Sequence, residues 1–433
     1  MRLNTAPSSG LVTYEGAPAK RIDAEAQLRR SLMSCMLWES EFYESGEDIA
    51  ARIKSLVPLV PPLKVAAMAS EARNKMKLRH APLWVAMAML QHPEHKKLVA
   101  GLLEDIIQRP DELTEVLAMY WKDGRKSIAH QLQKGLARAF RKFNAYSLSK
   151  YNRDNAIKLK DVLFLCHAKP KDEEQATLWK ALIAGTLESP DTWEVQLSAG
   201  KDKKETWVRL IMEEKLGGLA MLRNLRNMQQ VDVPIEVIRS GLRNMKTDRI
   251  LPYRFIAASK FAPRLEPELE SSMFKCLEGV SKLSGETLLL VDVSGSMATA
   301  ISSKSDLQRV DAACGLAMLA RELGNTRIFT FSSDVVEIPA RRGFALKDAI
   351  LNSQPHSSTE LGAAITAINK HCKFDRMIVI TDEQSHDRVP DPNCKLSYMI
   401  NVASAKNGVG YGRWMHIDGW SEAVLDYIKE TEE

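Results

Sequence analysis

The segment Leu288-Leu289-Leu290-Val291-Asp292-Val293-Ser294-Gly295-Ser296-Met297 constrains this chain more than any other. Its apolar run is too short for a buried helix and too continuous for a strand with one wet face, so it predicts a strand covered on both sides. From Gly285 onward, β-branched runs alternate with helical ones. Strands are expected at Glu286 to Val293, Thr326 to Phe331, Arg376 to Thr381 and Leu396 to Val402, and helices at Asp306 to Leu323, Leu346 to Leu351 and Glu360 to His371. This alternation predicts a doubly wound α/β domain over 286–433, a parallel sheet with helices on both faces.

Upstream the grammar differs. From Asp23 to about Leu283 apolar residues recur at three and four, and prolines such as Pro58, Pro82, Pro93, Pro110, Pro190 and Pro234 punctuate the pattern. Short helices joined by tight turns follow, among them Leu83 to Leu90, Glu94 to Gln108 and Asp111 to Trp121, each with a proline near its start, where a missing backbone N–H costs little. An all-α stack of antiparallel helix pairs, an irregular helical-repeat solenoid, is expected over 23–283, after a tail over 1–22.

Composition narrows the function. The 433 residues carry 60 Lys+Arg against 55 Asp+Glu, but the balance is uneven. Up to Gly285 there are 45 basic against 35 acidic residues, and beyond it 15 against 20; residues 120–170 alone hold twelve against three. Positive charge so concentrated suits a polyanion, of which nucleic acid is the commonest. Cys35, Cys166, Cys276, Cys314, Cys372 and Cys394 are scattered, without zinc-finger spacing, and read as reduced thiols of an intracellular, cytoplasmic protein. The N-terminus lacks an apolar export signal and no apolar stretch is long enough to span a bilayer, so no membrane partner is expected.

In an open α/β sheet, ligands sit where strand C-termini meet helix N-termini, so Asp292, Ser294 and Ser296 would project into one crevice. A carboxylate with neutral hydroxyls is a hard-oxygen set suited to Mg²⁺, with Mn²⁺ the alternative, and leaves a coordination position for an outside carboxylate or phosphate oxygen. Two later strand ends can complete it: the loop Ser357-Ser358-Thr359-Glu360, and Ile378-Val379-Ile380-Thr381-Asp382. A bland reading makes Asp292 a helix cap and the serines turn formers. A phosphoaspartyl hydrolase is disfavoured because Ser294 stands where a second Asp would be needed, and Ser-Gly-Ser is no nucleophile elbow.

Between Ala129 and Tyr146, Leu132, Leu136, Phe140 and Phe143 fall on one helix face, and Lys134, Arg138, Arg141 and Lys142 on another. Lys150, Tyr151, Arg153, Lys158, Lys160, His167 and Lys169 extend this cationic track, and Tyr146 and Tyr151 are placed to stack on unpaired bases or simply to pack. His167, after an apolar run, is expected to be hydrogen-bonded and partly buried rather than a catalytic base. A second basic cluster comprises Arg239, Arg243, Lys246, Arg249, Arg254, Lys260 and Arg264.

The pattern Asp-x-Ser-x-Ser, then Thr, then Asp resembles the metal-ion-dependent adhesion site of von Willebrand factor A domains. The resemblance implies Asp292, Ser294, Ser296, Thr359 and Asp382 as ligands, direct or through water, with Ser357 and Ser358 as alternatives to Thr359. The stretch from Tyr120-Trp121-Lys122-Asp123-Gly124-Arg125 through Leu136 to Phe140, Ser149-Lys150-Tyr151 and Lys160-Asp161-Val162-Leu163 to His167-Ala168-Lys169-Pro170 resembles the TROVE domain of Ro autoantigen-type RNA-binding proteins. That family places a TROVE domain before a von Willebrand A domain.

The resemblance implies a ring of HEAT-like helix pairs whose basic surface binds structured small noncoding RNA of the Y RNA type, and whose hole admits single-stranded RNA ends. It implies RNA quality control or processing without catalysis, a monomer, and an exoribonuclease or RNA-repair enzyme as partner. One departure is Leu159, where the family can carry His before the Lys-Asp. A metal-dependent protein-interaction module without RNA function is the alternative reading, and a nuclease using Asp292 and Asp382 is weakest, for want of a general base.

Overall fold

The computed structural model describes residues 12–13, 17, 19, 23–33, 45–152, 154–198, 200–247, 250, 252–276, 278, 282–301, 306–403, 408–409, 413–419, 424, 428 and 432. Arg153, Arg249 and Cys35 lie outside them. The chain forms two compact units, 50–202 and a second made of 1–49 with 203–433. Seventeen α-helices precede the first strand among the described residues, and a mostly parallel six-stranded sheet follows. None of the described helices is long and apolar enough to cross a membrane.

In the 50–202 unit, helix Val99–Ile106 packs along His130–Phe140, and Pro62–Asn74 along His80–Met89. The first pair is close because Gly135 presents no side chain: a Cβ there would stand 2.9 Å from Leu103 Cβ. Leu132, Leu136 and Phe140 are fully buried, as their four-residue spacing requires. Two expected helices are broken. Glu94 to Gln108 divides into Pro93–Lys96 and Val99–Ile106, and at the break His95 is buried with a ring nitrogen 3.0 Å from the Val60 carbonyl. The helix expected over Ala129 to Tyr146 stops at Phe140, and Asn144 starts the next, Ala145–Tyr151, by accepting a hydrogen bond from the Ser147 amide at 2.9 Å.

In the other unit the strands are β1 Glu286–Asp292, β2 Asn325–Phe331, β3 Val335–Ile338, β4 Arg376–Thr381, β5 Leu396–Asn401 and β6 Met415–Asp418, ordered β3-β2-β1-β4-β5-β6. The two central strands are buried along nearly their whole length, which explains their unbroken apolar sequences. Leu289 lies opposite Ile328 on one side and Ile378 on the other. The chain leaves β1 for β2 and later returns to β4 on β1's other edge, so a topological switch point opens at the carboxyl ends of β1 and β4. The expected parallel sheet is found, with one antiparallel strand at its edge, β3 against β2. Neither β3 nor β6 was legible, because four residues at a sheet margin carry too little periodicity.

The helix expected from Asp306 runs Arg309–Arg321, started by Asp311, whose carboxylate accepts from the Gln308 amide at 2.8 Å. Helix Pro252–Phe261 packs against it at Gly315, where a Cβ would meet Tyr253 Cβ at 3.2 Å. Helices from Lys203 onward therefore cluster with the sheet, although their sequence grammar matches that of the helices before them. Of the expected N-terminal tail, Thr13, Ala17 and Ala19 are buried, and Thr13 Oγ1 donates to the Ser385 carbonyl at 2.7 Å.

Candidate metal crevice and nucleic-acid interface

Asp292 ends β1 and Asp382 immediately follows β4, so the switch point brings together two carboxylates separated by ninety residues of sequence. Both are fully buried. Asp292 Oδ1 accepts from the Ser294 amide at 2.9 Å and its Oδ2 from Thr381 Oγ1 at 2.6 Å. Ser296 Oγ donates to Asp382 Oδ2 at 2.6 Å and lies 3.3 Å from Ser294 Oγ. Asp382 Oδ1 accepts from the Gln384 amide at 3.2 Å, and the buried Arg309 guanidinium stands 3.6 Å from Oδ2.

Burial first, and repulsion from Asp382 second, push the Asp292 carboxyl well above its usual range. A dry crevice with two carboxylates and two hydroxyls is a donor set that a hard divalent cation would relieve. The residues present therefore fit such an ion. The hydrogen bond from the Ser294 amide closes a turn on Asp292, which caps no helix among the described residues. Thr359 is buried against neighbouring loops: its amide donates to His386 Nδ1 at 2.9 Å and its carbonyl accepts from Ser385 Oγ at 3.2 Å. Its competitors are engaged elsewhere, Ser357 and Ser358 both through Ser333 Oγ, the latter at 3.1 Å.

Sequence reasoning missed Thr381, whose hydroxyl braces Asp292, and Arg309. It also missed a buried network behind the crevice. Glu383, in a left-handed conformation with φ 59°, pairs with Arg30 at 2.5 Å and with His416 Nδ1 at 2.8 Å. His416 Nε2 lies 2.8 Å from Asp418 Oδ1, which also accepts from Asn401 Nδ2 at 2.9 Å. Burial disfavours the imidazolium, but Asp418 and then Glu383 outweigh it and raise His416 to about 9. Asp418, despite its burial, is lowered to about 2 by His416. Only adjacent Thr-Asp-Glu carboxylates signalled this in sequence; the partner Arg30 comes from helix Ala24–Met33, far away along the chain.

The cationic track lies in the 50–202 unit. Lys134, Arg141, Lys142, Lys160, His167 and Lys169 are exposed. Arg138, 41% exposed, is 3.4 Å from the equally open Glu104; Arg141 Nε donates to the Lys169 carbonyl at 2.8 Å; Lys142 reaches the Glu104 carbonyl. Lys158 pairs with Asp154 at 2.6 Å. These are surface contacts, worth little energetically and open to competition by phosphate.

His167 departs from its expected partial burial, being exposed in a left-handed turn with φ 49° that ends helix Leu159–Leu165. Tyr151 is half-buried beneath Arg109, 4.6 Å from its ring centroid, and Lys150 lies 5.8 Å away. Tyr146, 55% exposed, is the open ring of the two. Nearby in sequence, Arg125 stacks on Trp121 at 5.0 Å and Lys126 on Tyr120 at 4.6 Å, interactions that no periodicity announced. The second basic cluster is partly committed: Arg239 pairs with Glu236 at 2.7 Å and Glu268 at 3.1 Å, and Lys260 with Asp311 at 2.6 Å.

Residues 174–312 match the TROVE domain model and residues 286–397 the Ro60 vWA domain model. The crystal structure of the Deinococcus radiodurans RO (RSR) protein shares the fold with a TM-score of 0.63, at 17% identity over 95% of this chain and 100% of that one. Telomerase protein component 1 from Rattus norvegicus and from Mus musculus are each 34% identical over 102 residues, 22% of this chain and 4% of theirs. The TROVE match begins just beyond the Tyr120 to Pro170 landmarks, while the second match contains Asp292, Thr359 and Asp382. By these matches, on the fold just described, the chain carries a TROVE domain and a Ro60-type von Willebrand A domain.

Proposed function

We propose that this chain is a non-catalytic, cytoplasmic RNA-binding scaffold. It holds structured small noncoding RNA of the Y RNA kind and single-stranded RNA ends, and serves RNA quality control or processing as a monomer. The observation that carries this reading is the exposed group Lys134, Arg141, Lys142, Lys160 and Lys169, which among the described residues has no carboxylate partner, flanked by the open ring of Tyr146. Long cations not locked to a carboxylate on one compact unit are what phosphate backbones select.

The crevice supports a second docking function. Asp292, Ser294, Ser296, Thr359 and Asp382 would hold Mg²⁺, or Mn²⁺, and the bound ion would present an open position to a carboxylate or phosphate oxygen of a partner. An exoribonuclease or RNA-repair enzyme is the proposed partner class.

The test is fluorescence anisotropy with an RNA hairpin bearing a single-stranded 3′ tail. About six phosphate contacts give a log–log salt slope of roughly −4, at about −0.7 per contact. Reversing charge at Arg138, Arg141 and Lys142 together should weaken binding at least roughly tenfold and halve that slope, to roughly −2. An unchanged affinity and slope would leave only a metal-dependent protein-interaction module.

A further inference from the structure

Helices Gly218–Gln230 and Pro252–Phe261, with Ile301, Asp306 and Leu307, enclose a cleft of about 360 Å³ in the sheet-bearing unit. Leu222, Leu225 and Ala258 form a buried apolar floor, while Leu219 and Phe261, about 40% exposed, stand at the mouth. Three guanidiniums line the same space: Arg223, Arg226 and Arg254. Among the described residues none of the three is ion-paired to a carboxylate. Lys260, by contrast, is already bound to Asp311, and Asp306 is the one acidic lining residue described.

Two of the three stand over aromatic rings, Arg226 at 5.4 Å from the Phe261 centroid and Arg254 at 4.9 Å from that of Tyr253. A guanidinium over a ring can keep its N–H edges for phosphate oxygens, and its plane is one on which a nucleobase stacks. Inorganic phosphate would leave the apolar mouth wet. A neutral nucleoside would leave three like charges uncompensated around one opening. A ligand that is both anionic and aromatic answers both demands, and the volume lies within the range of small-molecule sites.

We propose that this cleft is a binding site for a nucleoside phosphate, its phosphate engaged by Arg223, Arg226 and Arg254 and its base lying against Phe261 and Leu219. A free mononucleotide and the phosphorylated end of a strand present the same chemistry. The site is built wholly from residues of the sheet-bearing unit, and its argument does not rest on the cationic helix.

Isothermal titration of the full chain with adenosine 5′-monophosphate, adenosine and inorganic phosphate tests it. The monophosphate should bind at least roughly tenfold tighter than either fragment, a difference of about 1.4 kcal/mol. The double variant Arg223→Gln/Arg226→Gln should lose at least that factor. Phe261→Ala should weaken the monophosphate while leaving phosphate unchanged. Both variants alter exposed side chains, and an unchanged circular dichroism melt verifies folding. Competition by a 5′-phosphorylated tetraribonucleotide would assign the site to strand ends, and lack of competition to free nucleotides; either supports a nucleoside-phosphate site. Equal affinity for monophosphate and phosphate, or wild-type affinity in the double arginine variant, overturns it.

Discussion

The Arg30, Glu383, His416 and Asp418 network predicts that the sheet-bearing unit loses stability as the solution becomes alkaline. His416 is raised from 6.5 to about 9 because Asp418 and Glu383 hold it protonated inside the fold. A folded-state value above the unfolded one means that the native state binds the extra proton. The resulting stabilisation is complete below the unfolded value and disappears as pH rises through the folded one. Between about pH 6.5 and about pH 9.5 the loss amounts to about 3 kcal/mol, at about 1.4 kcal/mol per unit.

Urea denaturation across that range, in parallel with His416→Gln, isolates this contribution, since the variant keeps every other titrating group. Wild type should lose about 3 kcal/mol more than the variant over the range, with the steepest change between the two values. The mirror image belongs to Asp418. Lowered to about 2, it supplies stability above its ordinary value that is lost as pH falls through about 2, and this is the same ion pair seen from its acid partner. Parallel alkaline slopes in wild type and variant would refute the argument, because they would show that His416 is neutral in the fold at neutral pH.

Asp292→Asn removes a repelled carboxylate while keeping an acceptor for the Ser294 amide, so metal-free stability should hold or rise by about 1 kcal/mol. Calorimetric Mn²⁺ binding should vanish while hairpin RNA binding stays unchanged; retained Mn²⁺ binding would remove Asp292 from the ligand set. Gly135→Val drives a side chain into Leu103 and should cost about 2–3 kcal/mol, read as a lowered melting transition; no shift would mean that the two helices are not in close contact. Gly408→Ala places a methyl 2.5 Å from Glu383 Oε2 and against Arg30 Nη1. It should destabilise by about 1–2 kcal/mol and flatten the alkaline dependence assigned to His416.

That Asp292, Ser294, Ser296 and Asp382 meet was legible because the signal is local: an apolar run ending on Asp292, hydroxyls at fixed offsets, a second strand ending beside Asp382. The helical face of Leu132, Leu136 and Phe140 was legible for the same reason, since a period of 3.6 writes burial directly into spacing. Helix ends were less so. Asn144 interrupts a pattern that periodicity alone extends, and a cap is one hydrogen bond, invisible to a windowed reading.

What sequence by itself determined, then, is which residues face inward, where strands end on carboxylates, and where positive charge accumulates. The tertiary structure alone decided which of those charges remain available. Arg239 and Lys260 are consumed by carboxylates on neighbouring helices, whereas Arg223, Arg226 and Arg254 converge on one cleft. It also decided that Arg30 closes a network around Glu383 and His416 from hundreds of residues away. The physical reason is range. Periodicity and capping act within a few residues, but pairing, desolvation and pKa depend on which distant side chains share a low-dielectric interior.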